Sequence, residues 1–176
     1  EVGIGTSSPA HLLDVSGGDI NVSPANAGYF IGGNNVLRLT NFNSSTHVGV
    51  GAGASSTNGN NTFVGNLTGS NIFNTGGSNT FVGQGSGFSN TTGSESIFAG
   101  ASSGYYNTTG GGNSFFGVLA GRDNTVGNGN VFVGSGAGLF NATGGNNTYI
   151  GGGAGSPFLT TNLNNAVPSA TVLAFS

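Results

Sequence analysis

The chain has 176 residues, 37 of them glycine, with 2 basic and 5 acidic side chains and a formal net charge of -3. Two arginines without a lysine exclude a phosphate-neutralising surface, so nucleic acid is not an expected partner. No apolar run approaches the ~20 residues that cross a bilayer, so no membrane insertion is expected of this segment, and the lack of cysteine removes disulfides and thiolate metal sites.

Residues 1–24 read as an extended leading segment, a strand pair broken at Gly17-Gly18. The chain opens at Glu1 with no signal-peptide pattern, which is expected of a processed or partial chain. Residues 25–45 carry Tyr29-Phe30-Ile31-Gly32-Gly33 and then Val36-Leu37-Arg38-Leu39. The second piece alternates apolar with charged, as a strand with one wet side does. This stretch is expected to be a hairpin that caps the first coil of a solenoid.

Residues 46–155 are a repeat. An aromatic-aliphatic-Gly step recurs at Phe63-Val64-Gly65, Phe81-Val82-Gly83, Phe98-Ala99-Gly100, Phe115-Phe116-Gly117, Phe132-Val133-Gly134 and Tyr149-Ile150-Gly151, with His47-Val48-Gly49 as an imperfect first copy. A second glycine follows each first one by four residues, from Gly53 to Gly155. Asn90, Asn107, Asn124 and Asn141 come seven after it, and Gly93, Gly110, Gly127 and Gly144 ten after it. A unit of about 17 residues is too short for a helix pair and suits one coil of a β-solenoid. The fold class expected is therefore all-β, a parallel β-solenoid (β-roll) of about 17-residue coils. Each coil should hold two short strands and two turns, with Gly and Asn supplying the φ > 0 corners.

Two neighbouring columns are apolar: Phe63, Phe81, Phe98, Phe115, Phe132, Tyr149, and Val64, Val82, Ala99, Phe116, Val133, Ile150. Adjacent strand residues point to opposite faces, so both faces of this strand call for burial, and one coil has a single interior. The small column Thr68, Ser86, Ser103, Ala120, Ala137, Ala154 implies a thin interior. Several chains sharing a core, a homotrimer with the aromatic column as trimer or core column, is the expected assembly. After Gly155 the period fades. Residues 156–176 read as a C-terminal cap or the start of a next module, and the run from Ala170 to Phe175 as a last strand or an unfinished domain.

The Phe-Val-Gly-x-x-Ala-Gly units resemble the head repeats of trimeric autotransporter adhesins, which are parallel β-rolls of three chains around one axis. They also resemble bacterial surface and fibre proteins with runs of Asn-Thr-Phe-Val-Gly-x-x-Ala-Gly-x-x-Asn-Thr-Thr-Gly, here between Asn61 and Gly155. The stretch Val2-Gly3-Ile4-Gly5-Thr6-Ser7-Ser8-Pro9 with Leu12-Leu13-Asp14-Val15-Ser16-Gly17 is similar to phage-tail-fibre-like and endosialidase-chaperone-type fibre proteins. These resemblances imply a trimer, a fibre with neighbouring fibre modules, and an extracellular or cell-surface location. They name no ligand.

The chain offers little catalytic chemistry. Asp14 and Asp19 flank a Gly-Gly break and read as turn residues, and His11 and His47 have no Asp, Glu or Cys at metal-ligand spacing. Acidic calcium ligands are missing from the repeat, and its Gly-x-Gly pieces open no helix, so they are not phosphate loops. The Asn-x-Ser/Thr triplets at Asn66, Asn90, Asn107 and Asn141 arise from the repeat itself. Neither an enzyme nor a cofactor or metal is expected. Where the repeat varies, a corner carries Phe88, Tyr105, Tyr106, Arg122 and Leu139. Aromatic rings with polar tips among Asn and Ser suit a neutral surface glycan, bound weakly at each site. The expected function is a structural and adhesive segment of an extracellular trimeric fibre or filament. The alternative is a receptor-binding tail-fibre segment of a phage or injection machine. An ice-binding solenoid is a minor one, since Thr62, Thr80 and Thr148 share a column with Ser114 and Val131, near Ser96, and the threonine array is broken.

Overall fold

A computed structural model of the chain describes residues 2–4, 13–15, 28–31, 34–40, 44–71, 73–155 and 171–173. The described strands are β1 (Val2–Ile4), β2 (Leu13–Val15), β3 (Gly28–Ile31), β4 (Asn34–Thr40), β5 (Ser45–Val48), β6 (Thr62–Val64), β7 (Thr80–Val82), β8 (Ile97–Ala99), β9 (Ser114–Phe116), β10 (Val131–Val133), β11 (Thr148–Ile150) and β12 (Thr171–Leu173). Among the described residues there is no helix. β1 and β2 pair in parallel, Val2 opposite Leu13. β3 and β4 form an antiparallel pair with a register shift between Tyr29 and Phe30, and β4 lies antiparallel along β5.

From β5 onward every pairing is parallel and each strand repeats the last in the same register. His47, Phe63, Phe81, Phe98, Phe115, Phe132 and Tyr149 therefore fall on one line. β12 adds an eighth parallel strand, Thr171 opposite Thr148. The chain is a β-solenoid, with coils advancing about 4.8 Å each.

The aromatic column points inward. Phe63, Phe81, Phe98, Phe115, Phe132 and Tyr149 are fully buried within the single chain. Their rings stack coil on coil, with centroids 4.5–5.2 Å apart and planes within 19° of parallel. His47 heads the stack, buried and 5.2 Å from the Phe63 ring, so it is a core residue of the first coil. Beside the rings lies the small column Thr68, Ser86, Ser103, Ala120, Ala137, Ala154, also fully buried.

The second glycine of each unit explains the link between the two columns. A Cβ on Gly53, Gly69, Gly87, Gly104, Gly121, Gly138 or Gly155 would run into the aromatic ring six residues earlier in its own coil. These glycines also have φ between +53° and +75°, which L side chains enter only at a cost. The first glycines differ: a Cβ on Gly65 or Gly83 would strike the backbone of the next coil.

Two expectations are corrected. Each described coil holds one strand of three or four residues, not two. Its opposite side is held by backbone bonds between coils outside any strand, such as Gly87 N–H to Ser103 O and Thr91 N–H to Thr108 O, and by buried asparagines. Those asparagines do not serve as φ > 0 corners either. Among the described residues, the non-glycine positions with positive φ are Ser44, Asn60, Leu67, Ser78, Glu95, Ser102, Leu119 and Asn146. Asn90, Asn107, Asn124 and Asn141 are instead fully buried and form an amide ladder. Each Nδ2 of Asn107, Asn124 and Asn141 donates to the Oδ1 of the asparagine one coil earlier, at 3.0–3.1 Å. Each also donates to a glycine carbonyl three residues on, Gly110, Gly127 or Gly144.

A second ladder runs just before the strands. Asn113 Nδ2 donates to Gly127 O and its Oδ1 accepts from the Asn130 backbone N–H, at 2.8 Å each. Asn130 repeats the pattern towards Gly144 O and Asn147 N–H. Polar side chains thus occupy a core closed to solvent, and they do so because each finds fixed partners in the next coil. At the far end of the described ladders the Oδ1 atoms of Asn141 and Asn147 are buried and have no hydrogen-bond partner among the described residues.

Candidate functional site

With the rings turned inward, alternation sends the residues on either side of them outward. The seven rows of this outer strand face are Thr46/Val48, Thr62/Val64, Thr80/Val82, Ile97/Ala99, Ser114/Phe116, Val131/Val133 and Thr148/Ile150. None carries a charge. Val48, Val82, Ile97, Phe116, Val131, Val133 and Ile150 are each 37–43% exposed. This is one face of a parallel sheet, an arrangement ordinarily covered on both sides.

Sequence reasoning picked out the second of these two columns as apolar and read the first, Val131 included, only as a broken threonine array, without Ile97. The signal was present, because residues before and after an inward ring share a face. The register also places Ile97, with Ser96 before it, at the third position of the threonine column. Thr62, Thr80 and Thr148 are therefore separated by Ile97, Ser114 and Val131, and Phe116 stands out from the same surface.

The variable corner forms a second surface. It comes directly after the glycine under each ring. Backbone bonds from Ser89 N–H to Tyr105 O, Tyr106 N–H to Arg122 O and Asp123 N–H to Leu139 O set its register. One column is then Phe88, Tyr105, Arg122, Leu139, and the next is Ser89, Tyr106, Asp123, Phe140. All five residues singled out from the sequence lie on this corner, but they are not equivalent. Phe88 and Tyr105 stack face to face, 4.9 Å apart and 9° from parallel, so their facing surfaces are spent on each other. Both are half-buried, as is Leu139. Tyr106 stands edge-on to Tyr105, 4.8 Å away at 76°, and is 49% exposed.

In the next coil Arg122 holds Asp123 with both prongs of its guanidinium, Nε to Oδ1 at 2.7 Å and Nη2 to Oδ2 at 2.8 Å. The hydrogen bonds to Asp123 raise the guanidinium above its ordinary pKa despite partial burial. Its carbon also lies 5.9 Å from the Phe140 ring centroid. The Arg122-Asp123 step is visible in the sequence as the one charged step inside the repeats, whereas the Phe140 contact, not read from the sequence, depends on the 17-residue register.

Among the described residues no group of three His, Cys, Asp or Glu side chains could hold a metal ion. His11 and Asp19 lie outside the described residues. No family model, curated protein or solved structure matches the chain.

Proposed function

We propose that this chain is a structural segment of an extracellular fibre, built as a homotrimer of parallel solenoids packed through their outer strand faces. The observation that carries the reading is the uncharged, apolar outer face running through seven consecutive rows, from Thr46/Val48 to Thr148/Ile150. Such a continuous stripe on one side of a parallel sheet favours a covering partner. A partner that meets every row must itself repeat at the coil spacing of about 4.8 Å. Another copy of this chain has that period.

The number three, the fibre and the location outside the cell rest on the resemblance of the repeats to trimeric adhesin heads and of residues 2–17 to tail-fibre-like proteins. The composition supports the same reading. A rod with few charges and buried amide ladders is suited to holding a length and a shape, and adhesion would be an added property of its surface.

Replacing Phe116 and Val133 together with Asn tests the assembly. Both side chains point out of a single coil, so a lone solenoid should tolerate the change, while a packed face should not. The variant is expected to keep its far-UV circular dichroism and to sediment as one chain where the parent sediments as three. Equal sedimentation of parent and variant would remove the outer face from the interface.

A further inference from the structure

We infer that Tyr106, with the Arg122–Asp123 fork beside it, is a binding platform for a neutral carbohydrate bearing neighbouring hydroxyls. The inference deepens the fibre reading, and rests on it only in that the corner must stay uncovered when the outer strand faces are packed. A sugar ring is held by an aromatic face against its C–H surface and by polar groups that bond its hydroxyls. A stacked ladder supplies little aromatic face, because each ring covers its neighbour. Phe88 and Tyr105 are stacked in this way. Tyr106 is turned 76° out of that stack and is half exposed, so its ring keeps surface open to a ligand.

The polar half of the platform lies one coil away, about 4.8 Å along the rod, where the Tyr106 column continues as Asp123. Asp123 is fixed by two hydrogen bonds from Arg122, at 2.7 and 2.8 Å, and both side chains remain partly exposed, at 27% and 33%. A carboxylate oxygen has two lone pairs, so each oxygen of Asp123 has capacity left after accepting from Arg122. Arg122 keeps the donors of Nη1 and one of Nη2. Side by side, these acceptors and donors match two adjacent hydroxyls, each of which both donates and accepts. Ser89, on the other side of Tyr106 in the same column, adds a hydroxyl. The pair is charge-balanced within itself, so an anionic ligand would have to compete with Asp123 for Arg122. A neutral sugar is the better match. In an assembly the platform is repeated once per chain, and weak sites displayed together gain by avidity.

The test uses the full chain in native gels containing dextran, mannan or galactan, with heparin as an anionic comparison. At least one neutral polysaccharide is expected to retard the protein. Tyr106→Ala should abolish the retardation and Asp123→Asn should weaken the apparent affinity at least ~10-fold, while Phe88→Leu should leave it within about twofold. Each variant is checked by circular dichroism and by native mass. No retardation by any of the three, retardation by heparin alone, or undiminished retardation of Tyr106→Ala would overturn the inference. A monomeric chain that is still retarded through Tyr106 would sink the assembly reading and leave this site standing.

Discussion

The ring of Phe132 and the backbone of Gly138 compete for one volume, and this contest recurs in every coil. Gly136, two residues earlier, also has positive φ, +67° against +62°, but a Cβ there would meet nothing within 4 Å. The two alanine variants should therefore separate strain from packing. Gly136→Ala is expected to cost about 1–2 kcal/mol, the penalty of a left-handed L residue. Gly138→Ala should add about 1–3 kcal/mol for forcing an atom into a filled core. Urea unfolding of both would check the order, and equal losses would contradict it. Removing a ring should be costlier still: Phe98→Ala is expected to lose about 3–5 kcal/mol per chain, the range for a large aromatic deleted from a core. An unchanged melting temperature would mean that the column is not the core. At the end of the stack, burial pushes the Tyr149 hydroxyl above its ordinary pKa. The folded chain then holds this proton more tightly than the unfolded one does. Its contribution is fully present below pH ~10, the unfolded value, and is lost as pH rises through the folded one. Thermal melts between pH 8 and 12 should fall more steeply for the parent than for Tyr149→Phe.

The coil is held on one side by its strand and on the other by amides, and this division accounts for what the sequence could and could not reveal. The 17-residue period, the parallel stacking and the aromatic column were legible because each rests on residues that recur visibly. The direction of the aromatic column was decidable too, from the glycine six residues after every ring. Asparagine was harder. Its high turn propensity made Asn107 and Asn124 look like corner residues, whereas they are buried members of a ladder whose partners lie a full coil away. Composition cannot tell these apart, since both uses place Asn beside Gly and Thr. The ladder predicts a difference between its interior and its end. Asn113→Ala would orphan the Asn130 N–H, bonded to it at 2.8 Å, and would leave Gly127 O with the Nδ2 of Asn124 as its side-chain donor. Buried orphans cost about 1–3 kcal/mol each. Asn147→Ala should cost less, because it loses the Nδ2 bond to Asn130 Oδ1 but orphans no group there, that oxygen keeping the Asn147 backbone N–H as its donor. The exposed Thr109→Ala serves as a reference, and urea midpoints that place Asn147→Ala below Asn113→Ala would contradict the ladder account.

At the scale of the whole molecule, one solenoid settles its inner face and leaves its outer one open. The rings fill the interior within a single chain, so the core does not require partners, and the sequence-based argument from a shared core is replaced by one from the outer strand face. That face repeats Thr or Val, Ile, Ser on one side and Val, Ala, Phe, Ile on the other, with no charge to keep it wet. Its association should therefore be insensitive to ionic strength, in contrast to contacts made by charged rims. The corner of Tyr106 and Arg122 was legible as a place where the repeat varies, but which ring faces solvent depends on stacking geometry that spacing alone does not contain. The most direct test of the account is the native mass of the parent chain at micromolar concentration by light scattering, with a denatured control at 17.1 kDa. The account predicts a particle of three chain masses that keeps its mass from 50 mM to 1 M salt. A particle of one chain mass with a folded β spectrum would contradict it.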